Sequence, residues 1–254
     1  MSDQNAVESF QDAWEAYWGE TSGRAASGYE SGSMWDVDVE RAVAKDYNSF
    51  QRFMDTDLPL IDLGCGRGLQ TQYLARHYGT VLGADVSTSA IEMASREYGA
   101  PGLEYRVLDA LDSEAIRDLH GEFGDVNLYI RTLLHFIQPD SRRRFAESVE
   151  TLLGERGTLY LCELGPTAPE YFQSWIQRNG MPAQLERVMR AGVQPGSVTP
   201  EQVRELFPDD RFETVLEGHF TSEPVSKTLA GENSTAAAEL WSPPGYFVIL
   251  RPRK

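Results

Sequence analysis

Short apolar runs alternate with longer amphipathic segments through the middle of the chain. Five of these runs have the length of buried strands, and four segments between them carry apolar residues at helical spacing. Such an order of strands and helices predicts an α/β fold, with a parallel sheet covered by helices on both faces. The predicted strands span residues 58–63, 80–84, 103–108, 126–130 and 158–162.

The four predicted helices lie between these strands, and two of them have side chains suited to begin a helix. Ser87 and Asp112 each stand one residue before an amphipathic segment, where a short oxygen-bearing side chain can cap free backbone N–H groups. The pattern therefore predicts helix starts at residues 88 and 113. The predicted helices span residues 70–78, 88–98, 113–120 and 141–153.

The flanking segments predict one domain with additions. Residues 1–54 contain two helix candidates, 6–18 and 36–54, joined by a stretch rich in Gly and Ser. We expect them to form an N-terminal helical segment ahead of an α/β domain over residues 55–254. Within that domain, residues 165–200 suggest a helical insertion over the strand ends, and residues 212–220 and 246–250 supply a final pair of strands, the last antiparallel.

A glycine-rich turn joins the first predicted strand to the first predicted helix. Its glycines follow a GxGxG spacing, and Asp62 stands two residues before Gly64. A dinucleotide-binding turn would have a third glycine at position 69, which is Leu69. Asp62 would repel a pyrophosphate, but it suits a ligand with an ammonium or sulfonium charge, while N–H groups at the helix start can receive a carboxylate.

Residues 58 to about 163 resemble the class I S-adenosylmethionine-dependent methyltransferase family. The resemblance rests on the Asp-Leu-Gly-Cys-Gly-Arg-Gly turn, on Asp85 after the second strand, on Asp109 after the third, and on the Leu-Leu-His-Phe tail after the fourth. It implies a Rossmann-like sheet that binds S-adenosylmethionine, with Asp85 on the ribose hydroxyls and Asp109 on the adenine amino group. A carboxylate accepts both O–H donors of a ribose.

We expect cofactor contacts from the glycine turn, the ends of the second and third strands, and one arginine. Phe136 stands where relatives often have a second histidine, so no role of that position carries over. The expected cofactor-binding residues are Asp62, Gly64, Cys65, Gly66, Gly68, Asp85, Val86, Asp109, Ala110, Leu111 and Arg131.

Two residues near the end of the fourth strand are candidates for chemistry. His135 could take a proton from the methyl acceptor, because its ordinary pKa is near neutrality, or it could brace the strand end as a core histidine. Arg131 could bind a carboxylate, or it could pair structurally with Asp109 or Asp125. The sequence alone does not decide between the two roles of either residue.

Three residues are candidates for substrate contact. Glu163 ends the fifth strand, where sheets of this kind open their ligand crevice. Tyr29 and Trp35 flank the Gly/Ser-rich joint, where an aromatic lid could exclude water from a sulfonium. The aromatic stripe at Trp14, Tyr17 and Trp18 suits either core packing or such a lid.

Charge and composition restrict the classes of molecule that the protein is expected to bind and the place where it is expected to work. The formal net charge of −16 argues against nucleic acid, whose phosphates require Lys and Arg. Cys65 and Cys162 have neither disulfide density nor metal spacing, so we expect reduced thiols and a metal-independent reaction. The chain starts without a basic and apolar leader and has no long apolar run, so a cytoplasmic protein that works away from the membrane is expected.

The expected function is methyl transfer from S-adenosylmethionine to an oxygen or nitrogen nucleophile of a small molecule or short peptide. Resemblance to compact family members implies a small metabolite, as in secondary metabolism. Two alternatives remain: a non-catalytic partner protein that binds the cofactor, and an enzyme that transfers another group from a sulfonium donor.

Overall fold

One seven-stranded sheet organises the fold, described here from a computed structural model. The structure describes residues 2–24, 39–193, 196–221 and 243–253. The strand order is β3-β2-β1-β4-β5-β7-β6, in which β1 to β5 are parallel and β7 runs antiparallel to both β5 and β6. The strands are β1 Leu60–Leu63, β2 Val81–Asp85, β3 Leu103–Val107, β4 Asn127–Arg131, β5 Leu159–Leu164, β6 Phe212–Thr221 and β7 Pro244–Pro252.

Helices cover both faces of the sheet, as the alternation of patterns predicts. Two 3₁₀ turns, Leu134–Phe136 and Pro139–Ser141, connect β4 to the helix that follows it. The helices are α1 Ser2–Arg24, α2 Val39–Phe50, α3 Leu69–Leu74, α4 Thr88–Tyr98, α5 Ser113–Phe123, α6 Arg142–Leu153, α7 Ala168–Asn179, α8 Ala183–Arg190 and α9 Pro200–Leu206. No helix of the described ranges has the length and apolar content that crossing a membrane requires.

Side chains alternate between two cores along each central strand, because successive residues of a strand point to opposite faces. In β1, Leu60 packs with α2 and α3, whereas Ile61 packs with α5 and α6. The β4 residues Leu128 and Tyr129 divide in the same way. Burial on both faces explains why β1 and β4 have apolar or aromatic residues at consecutive positions, over 60–61 and 128–130.

The predicted helix starts are confirmed at both capped positions. Ser87 Oγ accepts a hydrogen bond from the backbone N–H of Ala90, and one Asp112 carboxylate oxygen accepts from the N–H groups of Glu114 and Ala115. These bonds satisfy N–H groups that the first turn of a helix leaves free. The Ser87 cap fixes the start of α4 directly after the strand end at Asp85.

The first helix, α1, is held against α4 by aromatic side chains. Trp14, Tyr17 and Trp18 are buried in a cluster with Ala90 and Met93 of α4, together with Phe136, Val188 and Val193. Trp14 meets Phe136 edge to face, with ring centroids 4.9 Å apart. The aromatic stripe of α1 therefore packs against the same end of the sheet that β2 and β4 reach.

Candidate functional site

A cavity opens where the parallel strands β1 to β4 reach their carboxyl ends. Including its open mouth, the space between its walls is about 920 Å³. Its walls come from α1, the glycine turn, the ends of β2 and β3, and the segment after β4. The residues of the wall are Phe10, Trp14, Trp18, Leu63, Gly64, Cys65, Gly66, Arg67, Leu69, Gln70, Ala84, Asp85, Val86, Leu108, Asp109, Ala110, Leu111, Arg131, Thr132, Leu133, Phe136 and Ile137.

The three glycines of the turn all have positive φ, but their surroundings differ. A Cβ on Gly64 would press on Leu133 at 3.1 Å, and one on Gly66 would lie 2.8 Å from the Trp18 ring. Both of these glycines line the cavity. Gly68 instead packs against Tyr105 and Ala94, where a Cβ would lie 2.7 Å and 2.8 Å away. The close packing of β3 and α4 under the turn explains why position 68 is a glycine. Gly68 is absent from the described cavity wall.

Asp85 lies at the centre of the cavity wall. One carboxylate oxygen accepts the N–H of Gly66 at 2.9 Å, and the other accepts the N–H of Ser87 at 3.0 Å. Burial raises the pKa of Asp85, while the N–H groups of Ser87 and Gly66 oppose that rise. Each oxygen keeps acceptor capacity after these bonds, so the carboxylate can take two further O–H donors.

Asp109 ends the wall on the β3 side. Its Oδ1 accepts the backbone N–H of Leu111 at 2.8 Å, and its Oδ2 accepts the side-chain N–H of Gln11 at 2.8 Å. Val86, Ala110 and Leu111, also predicted to contact a cofactor, lie in the same wall as the two acids. These five residues thus lie together near the carboxyl ends of β2 and β3.

Asp62 lies one layer below the cavity wall. Its side chain is buried under the turn, and its Oδ2 accepts the hydroxyl of Thr71 at 2.6 Å. Burial raises the pKa of Asp62 to about 7; the Thr71 hydroxyl opposes this shift and the charge of Asp85 adds to it. Near neutral pH the carboxyl is therefore poised between its two protonation states, and a nearby cation would favour ionisation.

Arg131 pairs with Asp46 of α2, a partner that the sequence did not predict. The Arg131 Nε donates to Asp46 Oδ2 at 3.0 Å, and the hydroxyls of Tyr129 and Tyr160 donate to the same carboxylate at 2.8 Å each. Burial is the largest single influence on the pKa of Arg131 and lowers it, but Asp46 together with Cys162, Tyr129 and Tyr160 more than offsets burial, so the pKa is raised. Arg131 remains a cation in the cavity wall, and the structural partners predicted at Asp109 and Asp125 are wrong.

Asp125 lies elsewhere, beside the loop between α6 and β5. Its carboxylate oxygens bond to the ring of His120 at 3.1 Å and accept backbone N–H groups of residues 155 and 156. Asp125 therefore has no part in the ion pair of Arg131. That pair connects α2 to the middle of the sheet, and its two residues, Arg131 and Asp46, are 85 positions apart in sequence.

Glu163 and His135 form a buried pair whose side chains are 0% exposed. Glu163 Oε1 accepts the N–H groups of Leu133 and Leu134 at 3.0 Å and 2.7 Å, and Oε2 bonds to the His135 ring Nδ1 at 2.6 Å. Neither residue belongs to the described cavity wall. The Glu163 carboxylate turns inward and holds the segment after β4, and His135 lies beside it, an arrangement that favours the bracing role of His135 over that of a base.

The segment after β4 makes a sharp turn that this pair supports. Thr132 has φ of 57°, a left-handed conformation that a β-branched residue rarely adopts. Leu133 follows and packs on Gly64, and Phe136 and Ile137 complete the apolar wall. The inward carboxylate of Glu163 thus fixes the position of one side of the cavity.

Helix α1 forms another part of the wall, next to Phe136. Phe10, Trp14 and Trp18 face the cavity, and the Glu15 carboxylate accepts the hydroxyls of Ser87 and Ser89 at 2.6 Å and 2.5 Å. These bonds anchor α1 at the start of α4, two residues beyond Asp85. Helical spacing of the aromatic residues was visible in the sequence, but the polar residues between them gave no sign of their partners.

Two predicted substrate contacts, Tyr29 and Trp35, lie outside the described residues. Cys65 lines the cavity wall, and burial raises the pKa of its thiol well above the ordinary value, so it is a poor nucleophile. Within the ranges that the structure describes, no group of three His, Cys, Asp or Glu side chains could hold a metal ion.

Comparisons with known proteins point to one family. Residues 61–161 match the family model described as a methyltransferase domain. Over nearly its whole length the chain is similar to an S-adenosylmethionine-dependent methyltransferase from Anabaena variabilis. The two are 35% identical, the match covers 96% of this chain and 95% of that one, and the TM-score is 0.86.

Curated relatives match over a shorter stretch. Juvenile hormone acid O-methyltransferase of Bombyx mori is 33% identical over an alignment of 132 positions, and the match covers 46% of each chain. Ubiquinone biosynthesis O-methyltransferase of Brucella anthropi is 31% identical over an alignment of 144 positions, and the match covers 52% of this chain and 54% of that one. The chain thus spans about half the length of the curated relatives that it matches.

Proposed function

Because the chain belongs to the class I S-adenosylmethionine-dependent methyltransferase family, we propose that it transfers a methyl group from this cofactor to an oxygen or nitrogen nucleophile of a small molecule or short peptide. The observation that carries the proposal is the placement of Asp85 and Asp109 in one cavity wall, together with Val86 and Ala110. Two acceptor-only groups at this edge suit a ligand with a diol at one point and an amino group at another.

The remaining polar groups fit the amino-acid part of the cofactor. Arg131 keeps a buried positive charge in the wall and can attract a carboxylate. Asp62, one layer below the turn, supplies negative charge for an ammonium or sulfonium group. Gly64 and Gly66 line the cavity, and their lack of a side chain lets Leu133 and Trp18 pack directly on the turn.

When bound, S-adenosylmethionine supplies an electrophilic methyl carbon on a positively charged sulfur. The chain contributes position and a dry environment, because five apolar side chains line the cavity: Leu133, Phe136, Ile137, Trp14 and Trp18. Holding an acceptor within about 3 Å of the methyl carbon supplies much of the rate of an in-line displacement. We assign α1 the role of a lid that keeps water from the reacting groups.

The acceptor that this cavity favours has an apolar body and an oxygen that is ionised near neutral pH. Leu133, Phe136 and Ile137 form an apolar surface for the body of such a molecule. A carboxylate or an acidic phenol needs no base, which agrees with the buried position of His135 beside Glu163. The names of the two curated relatives, both O-methyltransferases, support an oxygen acceptor.

The test is incubation of the purified chain with S-adenosylmethionine and a panel of apolar carboxylic acids, phenols and amines, followed by mass analysis of each acceptor. The proposal expects a gain of one methyl group on at least one acid or phenol. Affinity for S-adenosylhomocysteine without turnover of any acceptor would favour the non-catalytic partner protein. Gain of another group would favour transfer from a different sulfonium donor.

A further inference from the structure

Gln11 of α1 forms a hydrogen bond with an acid of the cofactor cavity. Its side-chain Nε2 donates to Asp109 Oδ2 at 2.8 Å, across 98 residues of sequence. Asp109 is the acid at the β3 end of the wall, and its other oxygen is held by the N–H of Leu111. The first helix therefore contacts directly one of the groups that the proposed function assigns to the base of the cofactor.

The position of Gln11 is set by its neighbours on α1. Gln11, Glu15 and Trp18 are four and three residues apart, so they lie on one face of the helix. Glu15 bonds to the start of α4, and Trp18 covers Gly66. Two contacts further along the helix thus hold Gln11 beside Asp109, so its position does not depend on its own bond alone.

Asp109 offers an acceptor to the cavity, and Gln11 reaches that acid from behind the described wall. Asp109 lines the cavity whereas Gln11 does not, and the bond from Gln11 leaves both Asp109 oxygens able to accept further hydrogen bonds. The 6-amino group of adenine is a donor that such a carboxylate can accept. Hypoxanthine has an oxygen at the same place, so its 6-oxygen would face the carboxylate of Asp109.

We propose that Gln11 is a positioning residue for recognition of the nucleobase of the cofactor: it orients the Asp109 carboxylate, so that this acid selects a 6-aminopurine. The inference rests on the proposed function, since its ligand is the cofactor. It extends recognition of the base from the sheet edge to α1. Sites built to hydrogen-bond a polar group reject analogues in which the pattern is reversed, because buried groups are then left unpaired.

The experiment compares two ligands that differ at one position, S-adenosylhomocysteine and S-inosylhomocysteine, by titration calorimetry. Wild type should bind the adenosine compound at least 100-fold more tightly. Gln11→Ala should weaken that binding by about 5- to 20-fold and change binding of the inosine compound less than about 2-fold. Gln11→Glu should weaken binding of the adenosine compound further, because a second carboxylate would face Asp109.

Two variants serve as references. Asp12→Ala changes the adjacent, exposed residue of α1 and should bind both ligands as wild type does. Asp85→Ala should lose affinity for both, since both carry the ribose. Circular dichroism shows whether each variant keeps its helices.

Three results would overturn the inference. Equal losses for both ligands in Gln11→Ala would mean that Gln11 only holds α1 in place. Wild-type affinity in Gln11→Ala, with the expected loss in Asp85→Ala, would remove Gln11 and leave the proposed function intact. Absence of S-adenosylhomocysteine binding by wild type would overturn both proposals.

Discussion

Replacing Asp46 by Asn should destabilise the protein strongly, because it removes the charge that balances a buried arginine. The Asp46 carboxylate accepts hydrogen bonds from Arg131, Tyr129 and Tyr160, and Asp46 and Arg131 are 7% and 8% exposed. Removing one partner of such a pair typically costs about 3–5 kcal/mol. Asn keeps the shape and one acceptor oxygen, so we expect a loss near the lower value, about 3 kcal/mol.

The assay is urea unfolding followed by circular dichroism and tryptophan fluorescence. With a denaturant slope of about 3 kcal/mol per molar urea, the midpoint should fall by about 1 M without a change of slope. Glu150→Gln breaks the exposed pair that Glu150 forms with Arg211 at 2.6 Å and should cost less than about 1 kcal/mol. A midpoint for Asp46→Asn no lower than that of Glu150→Gln would refute the reasoning.

His135→Ala should lower the melting temperature by several degrees and leave the pH profile of methyl transfer unchanged, because the imidazole is buried outside the cavity wall; loss of a rate limb near neutral pH in single-turnover assays would restore the base hypothesis. Affinity for S-adenosylhomocysteine should rise by up to about eightfold from pH 6 to 7.5, since the Asp62 carboxyl, with a pKa of about 7, binds a cation better when it is ionised. Calorimetry on Asp62→Asn should give a flat profile, and equal slopes for both proteins would exclude this cause. Gly66→Val should abolish cofactor binding, because a side chain there would collide with Trp18 at a backbone angle that favours glycine. Gly79→Val, where nothing lies within 4 Å, should bind normally, and equal affinities of the two variants would mean that the turn has been misread.

The sequence was sufficient for the parts of the fold that local patterns determine. Buried runs and the spacing of helical apolar residues predicted β1 to β5, and Ser87 and Asp112 predicted two helix starts that the structure confirms. Periodicity reports which face of an element is buried, so it carries such information directly. The family resemblance added the placement of Asp85 and Asp109 at adjacent strand ends, and both line the cavity.

Contacts between distant residues were beyond the sequence. The partner of Arg131 proved to be Asp46, and the partners of Asp109 and Glu163 proved to be Gln11 and His135. A polar residue has the same periodicity whether it faces water, a cavity or a buried charge, so a single chain cannot distinguish these cases. Gly68 illustrates the same limit. A side chain at this position of the turn would collide with Tyr105 of β3, a contact between residues that are distant in sequence.

The most direct test of the account is S-adenosylhomocysteine binding by wild type and Asp85→Ala in the same titration calorimeter. Asp85 accepts N–H groups of Gly66 and Ser87 and offers its remaining acceptor capacity to the cavity. Removing it should weaken binding by about 10- to 100-fold while the circular dichroism spectrum is unchanged. Equal affinity for a folded Asp85→Ala variant would contradict the assignment of this cavity as the cofactor site.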